Sequence, residues 1–451
     1  MQDNLYLRFV RNVLPSPFAI AVILTLITYV LALIFTDRPE NAGSAYPLVL
    51  LEYWETGFWE LLSFTMQMAL ILVLGHCLAL TPVVNKLISA FTRYCTNTAT
   101  AAFWVSLLTI AVSFINWGLC LVFGAIFARK VAEKAKTMGW KLNYPLIGAA
   151  GYSGMMCWHG GFSGSAPLDI AGASHQLIDI TGQVGIEQTL LSPMNLITSL
   201  LLIVIIPAAF YWLGKRSSGQ ELNIRLSEPE EADTALPPAP SGAERLDHSK
   251  LAAGLLGGII VFIALRKIWI TPTGAGISFI NLNYINFFLF GLGLLLHGSF
   301  TRFLGAIQEA IGGSVGIIIQ FPLYAGIIGI MKYSGLAAGV SYAFVDISNE
   351  VTLPIFTFIS AGLVNIFVPS GGGQWAVQGP IVTEAAQVLN VPIPKVVMAL
   401  AYGDQLTNML QPFWALPLLG ITRLKAKDIL PYSLLIMAIG ILIFISMLLI
   451  F

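Results

Sequence analysis

The sequence predicts an all-α integral membrane protein with two inverted-topology repeats, each containing a re-entrant hairpin and a broken transmembrane helix. Composition is the first reason: 57% of the 451 residues are apolar, 10% are charged, and the mean hydropathy is +0.80. A soluble globular protein carries about 25% charged residues. The second reason is that apolar segments of about 20 residues, long enough to cross a bilayer, recur along the chain. The third is an internal repeat of uncommon residues.

Charge and cysteine usage exclude several other classes of protein. Lys and Arg number 23 and Asp and Glu number 23, so there is no basic excess to neutralise a nucleic-acid backbone. The four cysteines show no CxxC pair, and the five histidines show no metal-ligand spacing. We therefore expect free thiols, no metal, no cofactor and no nucleic-acid partner.

Seven apolar runs predict ordinary transmembrane helices. The first follows Arg8 and Arg11 and is longer than the apolar core of a typical signal peptide, so it predicts a retained span. The seven runs are residues 17–36, 61–80, 192–213, 251–270, 281–297, 312–331 and 430–450.

Two further apolar segments are too long for one span and have polar or glycine-rich centres. Residues 98–128 are interrupted at Asn116, and residues 352–380 are interrupted around Gly371. Each segment predicts a hairpin that enters the membrane. The pattern leaves open whether the hairpins are re-entrant or pairs of full spans.

Residues 144–168 and 394–418 have the length of a single span but are broken by Gly, Pro and amide side chains. Non-helical backbone at membrane depth leaves N–H and C=O groups without partners, so it persists only where protein, water or a ligand satisfies them. These two segments therefore predict broken helices that belong to a site.

The distribution of positive charge predicts the orientation. With re-entrant hairpins and a cytoplasmic N-terminus, most of the 23 Lys and Arg residues fall on the cytoplasmic side, as the positive-inside rule requires. Residues 215–250 are polar and rich in Pro and Glu, which predicts a cytoplasmic linker. The linker would join a first membrane repeat, residues 1–214, to a second, residues 251–451.

The second half of the chain matches the first at an offset of about 250 to 255 residues. The matched pairs include Gln67 with Gln320, Gly118 with Gly373, and Tyr152 with Tyr402. In the orientation above, every matched segment crosses the membrane in the opposite direction. Inverted repeats with broken helices at matching positions are typical of secondary transporters.

The four interruptions supply the candidate site. Freed N–H groups at the start of a half-helix attract an anion, and Ser370 and Gly371 stand at such a position. Close helix packing is the competing explanation for each Gly and Ser. The predicted substrate-binding residues are Asn116, Gly118, Ser163, Ser165, Ser370, Gly371, Gly372, Gly373, Gln374, Gln378, Gln405 and Asn408.

Asp404 is an acid inside a predicted span, which makes it the candidate for coupling an ion, either H⁺ or Na⁺. A structural acid within a hydrogen-bond network is the alternative. No Lys or Arg lies in the four interruptions, so the site fits one modest anion rather than a di- or tricarboxylate. The tryptophans at the interruptions suit apolar walls for a short tail, with packing or a place at the membrane interface as the equal alternative for each: Trp117, Trp158, Trp375 and Trp414.

At these residues the sequence closely resembles the bacterial short-chain fatty acid transporter family. The motifs include Ile-Asn-Trp-Gly at 115–118, Gly-Gly-Phe-Ser-Gly-Ser-Ala-Pro-Leu at 160–168, Val-Pro-Ser-Gly-Gly-Gly-Gln-Trp at 368–375 and Gln-Pro-Phe-Trp-Ala-Leu-Pro at 411–417. The resemblance implies uptake of short monocarboxylates, such as acetoacetate and butyrate, across the bacterial inner membrane. It also implies a place in the wider ion-transporter superfamily and an elevator-like motion.

The leading hypothesis is therefore an ion-coupled carrier of a small monocarboxylate, with the lipid bilayer as its surroundings and a homodimer left open. A dicarboxylate or other organic-anion carrier and a Na⁺/H⁺ antiporter are the alternatives. A membrane-embedded enzyme would need a nucleophile and a base at one depth. His159 is the single candidate base beside an interruption, so we expect no enzyme activity.

Overall fold

The computed structural model describes residues 17–37, 45–217, 242–270, 279–336, 346–367 and 371–451, and these residues form α-helices and short turns without a β-strand. The predicted all-α class is confirmed. Most of the predicted linker, and Ser370 of the predicted site, lie outside the described residues.

The helices are numbered in chain order. The first half contains α1 (Pro17–Phe35), α2 (Tyr46–Glu60), α3 (Leu62–Ala79), α4 (Pro82–Thr92), α5 (Thr98–Ser113), α6 (Trp117–Thr137), α7 (Tyr144–Tyr152), α8 (Ser165–Asp169), α9 (Ile178–Thr181) and α10 (Pro193–Arg216). The second half contains α11 (Glu244–Asp247), α12 (Lys250–Ile270), α13 (Leu282–His297), α14 (Phe300–Ile311), α15 (Val315–Ser334), α16 (Thr352–Phe367), α17 (Gly371–Val388), α18 (Ile393–Thr407), α19 (Pro412–Thr422) and α20 (Ala426–Ile450).

Each of the seven predicted ordinary spans is a helix in the structure: α1, α3, α10, α12, α13, α15 and α20. Within the described residues, five continuous helical stretches are long and apolar enough to cross a membrane: α3, α10, α12, α14 running into α15, and α20. α1 and α12 also expose large apolar side chains, such as Leu26 and Phe262. Such surfaces suit contact with lipid.

α2 is a helix that the apolar pattern did not predict, because Glu52, Glu55 and Glu60 interrupt it. It packs closely against α15 through two glycines. A Cβ atom built on Gly57 would lie 2.6 Å from the Cα of Gly329. The approach of these two backbones depends on the absence of side chains, as in other small-residue contacts between membrane helices.

Both predicted hairpins are present as helix pairs. α5 and α6 are joined by a short turn that ends at Asn116, and α16 and α17 are joined through residues 368–370, which lie outside the described residues. α5 and α16 have 16 residues each. At 1.5 Å per residue each is about 24 Å long, shorter than the roughly 30 Å hydrocarbon core of a bilayer. However, α13, which matches a predicted ordinary span, also has 16 residues, and α6 has 21, so the re-entrant form stays a prediction.

Both predicted broken helices are broken. After α7 the chain forms two 3₁₀ turns, Ser153–Met156 and Trp158–Gly160, before α8 begins. After α18 it forms one 3₁₀ turn, Asn408–Leu410, before α19 begins. We call these two non-helical stretches the first break, residues 153–164, and the second break, residues 408–411.

The order of elements in the first half recurs in the second. α2 runs into α3 through Leu61, as α14 runs into α15 through a 3₁₀ turn at Gly312–Ser314. A hairpin, a broken helix and a long final helix follow in both halves. The same order supports the internal repeat, while the opposite orientation of the two halves stays a prediction.

Candidate functional site

The two breaks meet in the interior and are hydrogen-bonded to each other. The hydroxyl of Tyr152 donates to the backbone oxygen of Asn408 at 2.8 Å. The side chain of Asn408 donates to the backbone oxygen of Met155 at 3.1 Å. The side chain of Asn408 thus satisfies a backbone oxygen of the first break, while Tyr152, just before that break, adds a second donor to the Asn408 oxygen that also accepts the N–H of Gln411.

A buried imidazole and a buried carboxylate lie next to each other at this junction. His159 Nδ1 and Asp404 Oδ2 are 2.8 Å apart, and both side chains are at most 1% exposed. His159 Nε2 accepts the backbone N–H of Ala166 at 3.3 Å, so the proton of a neutral ring lies on Nδ1, towards the carboxylate. The N–H is poorly aligned, however, and neither Asp404 oxygen has a hydrogen bond within the described residues. The imidazole and the carboxylate are therefore in close contact, but His159 Nδ1 and both Asp404 oxygens remain without a hydrogen bond among the described residues.

The first turn of α17 lies against this pair. A Cβ atom built on Gly371 would lie 3.1 Å from Asp404 Oδ2 and 2.7 Å from Cη2 of Trp158. No side chain fits there, so the close approach requires glycine. The N-terminus of a helix carries partial positive charge. The group beside this N-terminus is thus a carboxylate of the protein itself.

A chain of aromatic rings leads away from His159. Its ring is stacked on Trp158, with ring centroids 4.3 Å apart. Trp158 contacts Trp117 at 5.8 Å, and Trp117 contacts Trp414 edge-to-face at 5.2 Å. The indole N–H groups of Trp117 and Trp158 are buried and have no hydrogen-bond partner within the described residues. Buried donors without partners are costly, so both N–H groups require an explanation.

The aromatic chain ends in an apolar cavity of about 420 Å³. Small-molecule sites commonly have volumes of about 300 to 1,000 Å³ and mostly apolar walls. His76 and Gln320 add polar groups to an otherwise apolar lining, which lies between α3, α6, α15 and α19. The lining includes Leu72, His76, Trp117, Gly118, Leu121, Gln320, Phe321 and Trp414. We call this space the apolar cavity.

A second cavity, of about 410 Å³, lies beside Gln67, the residue that matches Gln320 in the repeat. Its walls are more polar and include Asp169, His175 and Asn283. We call this space the polar cavity. The repeat-matched glutamines thus line two different cavities.

The predicted site residues of the first hairpin use their polar atoms inside the protein. Asn116 accepts the backbone N–H of Leu119 at 2.8 Å and donates to the backbone oxygen of Ile71 at 3.0 Å. Ser163 accepts the backbone N–H of Trp117 at 2.9 Å. Gly118 permits the contact of α6 with α3, and it also lines the apolar cavity. These residues shape the turn that holds Trp117.

The predicted residues of the second half lie closer to the His159–Asp404 pair. Gln405 accepts the backbone N–H of His159 at 2.8 Å. Gln374 donates to Gln378 Oε1 at 2.7 Å, while its own amide oxygen is buried without a partner among the described residues. Gly372 packs against Phe64 of α3, and Gly373 lies in the same first turn of α17. Ser165 begins α8. Its hydroxyl is buried and has no hydrogen-bond partner among the described residues.

Sequence reasoning missed two members of this cluster. The sequence presents His159 only as a possible base for an enzyme, although its position beside a break is a usable signal. Asn365 is a lone amide in the apolar helix α16, and its side chain donates to the backbone oxygen of Asp404 at 2.7 Å and to Asn408 Oδ1 at 3.0 Å. A single amide in an apolar run does not indicate such contacts.

Two short helical hairpins and two broken helices around a buried site define the chain as a membrane transporter, and comparison with known proteins agrees. Residues 3–451 match the family model described as short chain fatty acid transporter. The protein therefore belongs to the short-chain fatty acid transporter family, and the resemblance seen in the sequence is confirmed. The family and its relatives are transporters rather than enzymes.

Two relatives are similar over nearly their whole length. A protein of Escherichia coli K12 with a provisional name as a short-chain fatty acid transporter is 38% identical over 428 residues, covering 94% of this chain and 93% of the relative. A protein of Haemophilus influenzae Rd with the same provisional name is 36% identical over 433 residues, with the same coverage.

Two solved structures share the fold at low sequence identity. The YdaH transporter of Alcanivorax borkumensis, described as having an unusual topology, has a TM-score of 0.61 at 15% identity and covers 97% of this chain and 98% of its own. Neisseria gonorrhoeae MtrF, described within a class of antimetabolite efflux pumps, has a TM-score of 0.58 at 15% identity, with 98% and 97% covered. These likenesses establish a transporter fold with several membrane-spanning helices.

Proposed function

We propose that the protein is a secondary active transporter that carries short-chain monocarboxylates, such as butyrate and acetoacetate, across the inner membrane, coupled to H⁺ or Na⁺. The observation that carries this proposal is the apolar cavity of about 420 Å³, whose lining includes Trp117, a residue with a buried indole N–H that has no partner among the described residues. Membership of the family supports the same substrate class.

The apolar cavity binds the alkyl tail of the substrate, and the aromatic chain binds its carboxylate. The alkyl tail lies against Leu72, Leu121 and Phe321. The carboxylate lies at the aromatic end, where it accepts the indole N–H groups of Trp117 or Trp158. From there it faces the first turn of α17, whose partial positive charge favours an anion.

The lining of the apolar cavity supports a monocarboxylate rather than a dicarboxylate as the substrate. No Lys or Arg occurs among the described residues that line it. A second carboxylate would enter an apolar wall without a fixed cation or a bidentate partner, and burying such a charge is strongly unfavourable. A dicarboxylate is therefore the weaker candidate for this site.

The remaining predicted residues support this arrangement. Asn116, Gly118 and Ser163 hold the first hairpin, while Gln374, Gln378, Gln405, Asn408 and Ser165 surround the His159–Asp404 pair, and Asp404 couples the ion. The halves 1–214 and 251–451 are the two inverted repeats, with the linker 215–250 and the N-terminus in the cytoplasm. The matching breaks and the two cavities support alternating access, in which one site opens to either side in turn.

Uptake into proteoliposomes tests the function. Labelled butyrate and acetoacetate are offered under a Na⁺ gradient or a pH gradient imposed separately, with protein-free vesicles to measure passive entry of the undissociated acid. We expect saturable, concentrative uptake under one gradient. Uptake no greater than in protein-free vesicles under both gradients would contradict the proposal.

A matched pair of glycine substitutions tests the apolar cavity. A Cβ atom on Gly313, which lines the cavity, meets nothing nearer than Leu72 Cδ2 at 3.5 Å. A Cβ atom on Gly258 of α12 meets nothing within 4 Å. Gly313→Leu should fill the cavity and abolish uptake, whereas Gly258→Leu should transport normally. Normal butyrate uptake by correctly inserted Gly313→Leu protein would show that the tail binds elsewhere.

A further inference from the structure

His159 and Asp404 come from opposite halves of the chain and meet at the junction of the two breaks, with Nδ1 of the ring and Oδ2 of the carboxylate 2.8 Å apart. The first turn of α17, where the proposed function places the substrate carboxylate, lies against the same Asp404 oxygen. Two candidate anions therefore lie beside the first turn of α17. One is the side chain of Asp404, and the other is the substrate.

We propose that the His159–Asp404 pair binds the coupling proton, and that the carboxylate of Asp404 and the substrate carboxylate compete for the N-terminal turn of α17. This inference rests on the proposed function. Two carboxylates held within a few ångströms do not both remain charged, because one of them takes up a proton. The substrate anion therefore binds when the pair carries its extra proton, and the proton and the anion cross together.

The groups around Asp404 favour a proton over Na⁺. One oxygen faces an imidazole nitrogen, and the adjacent backbone belongs to Gly371, which has no side chain to offer as a ligand. Hard cations are held by several oxygen ligands, whereas imidazole suits softer metals.

Two charged residues on the elements that contact the pair are accounted for: one is hydrogen-bonded and the other is distant. Asp169 of α8 accepts the indole N–H of Trp375 at 2.7 Å. Lys395 lies in the first turn of α18, nine residues before Asp404, which is about 13 Å along a helix. The ionisable residues on the elements that contact the pair are Tyr152, Cys157, Asp169, Glu384, Lys395, Tyr402, Lys427, Asp428 and Tyr432, while α16 carries none.

The charge balance of this cycle has a measurable consequence. One proton enters with one monocarboxylate anion, so each turnover moves no net charge. Uptake by the wild-type protein should then follow the pH gradient and should not change when the membrane potential is clamped at different values with K⁺ and valinomycin. Uptake that responds to the potential would overturn the one-to-one stoichiometry and the proposal with it.

Exchange and accumulation separate substrate binding from proton coupling. Asp404→Asn keeps the shape of the carboxyl group but remains neutral, so it resembles the protonated state. This variant should exchange labelled for unlabelled butyrate at a rate that depends little on pH. It should lose accumulation driven by a pH gradient. Butyrate exchange by the wild-type protein should fall as pH rises on both sides, and this dependence should flatten in Asp404→Asn.

The controls distinguish failure of the two proposals. If the wild-type protein exchanges no butyrate, the proposed function fails. If it exchanges butyrate but Asp404→Asn still accumulates it under a pH gradient, only the proton site fails. The proton site also fails if a Na⁺ gradient alone drives uptake by the wild type.

A second histidine controls for the loss of a buried imidazole. His159→Gln should lose pH-driven accumulation in the same way as Asp404→Asn. His297→Gln removes an imidazole that hydrogen-bonds Cys77 between α13 and α3, away from the pair, and should keep the coupling. Should Asp404→Asn fail to insert, the potential and pH tests on the wild-type protein still decide the proposal.

Discussion

Tyr152 and Tyr402 occupy matched positions in the two halves, and each fixes the break of the opposite half. The hydroxyl of Tyr152 donates to the backbone oxygen of Asn408 in the second break at 2.8 Å. The hydroxyl of Tyr402 donates to the side-chain oxygen of Asn195 at 3.0 Å, and Asn195 in turn donates to the backbone oxygen of Gly160 in the first break. The two breaks are therefore held by a reciprocal pair of phenol hydrogen bonds.

Removing either phenol hydroxyl should destabilise the junction. Tyr152→Phe leaves the backbone oxygen of Asn408 without this donor, and Tyr402→Phe leaves Asn195 Oδ1 without one. We expect each change to lower the free energy of unfolding by about 1 kcal/mol, the net contribution of one buried hydrogen bond. Thermal unfolding in detergent measures the effect.

Tyr284→Phe provides the comparison for this prediction. Its hydroxyl donates to Ala264 at 3.4 Å near the edge of the protein, so its loss should change stability little. An equal decrease in unfolding temperature in all three variants would show that the hydroxyls of Tyr152 and Tyr402 stabilise the protein no more than the hydroxyl of Tyr284.

The contact between Gly57 and Gly329 gives a second prediction, about packing. A Cβ atom on Gly57 would lie 2.6 Å from the Cα of Gly329 and 2.6 Å from the backbone oxygen of Ala325. Gly57→Ala should therefore separate α2 from α15 and cost about 1 to 3 kcal/mol, as overpacking does.

Gly254→Ala is the matched control, because a Cβ atom at Gly254 of α12 meets nothing within 4 Å. Alanine is the better helix former by about 1 kcal/mol, so this change should be neutral or stabilising. Thermal unfolding of the two variants side by side checks the prediction, which fails if Gly57→Ala is as stable as Gly254→Ala.

Much of the fold could be predicted from the sequence because the bilayer imposes simple rules. Long apolar runs indicate the seven ordinary helices, and polar interruptions indicate the hairpins and breaks. α2 could not be predicted from apolarity, since Glu52, Glu55 and Glu60 interrupt its apolar pattern, and its close contact joins Gly57 to Gly329, more than 270 residues away along the chain. A contact between distant glycines leaves no periodic signal in either helix.

The sequence indicates which segments form the candidate site, but not which residues of those segments contact each other. Asp404 stands out in the sequence because an acid within a span is costly and therefore has a reason to be there. Asn365 does not stand out, and the position of His159 beside a break does not indicate Asp404 as its partner, because the fold alone brings these three segments together. The sequence also places an anion site at Gly371 without showing that Asp404 itself stands beside that turn.

Gly371 gives a third prediction, about the site. A Cβ atom there would press on Trp158 at 2.7 Å and on Asp404 Oδ2 at 3.1 Å. Gly371→Ala should move α17 away from the His159–Asp404 pair and reduce butyrate uptake at least tenfold, at equal amounts of protein in the membrane.

Gly420→Ala in α19 is the matched control, because a Cβ atom there meets no atom of the described residues within 4 Å. It should leave uptake within twofold of the wild type. Uptake assays on vesicles with matched protein content compare the two variants. Normal uptake by Gly371→Ala would mean that the close approach of α17 to the pair is dispensable.

Gln67 and Gln320 give a fourth prediction, about the orientation of the two halves. They match in the repeat, are partly exposed, and line the polar cavity and the apolar cavity respectively. If the halves are inverted and the N-terminus is cytoplasmic, Gln67 lies on the outer side and Gln320 on the inner side. The four native cysteines are all buried, so they should react little with a thiol reagent.

Gln67→Cys and Gln320→Cys should therefore be labelled by a membrane-impermeant maleimide from opposite sides. Intact cells should label the cysteine at position 67, and inside-out vesicles should label the cysteine at position 320. The wild-type protein measures the background from buried thiols, and labelling after solubilisation shows that both introduced cysteines can react. Labelling of both positions from the same side would exclude the inverted arrangement, because residues matched by that symmetry must lie on opposite sides of the membrane midplane.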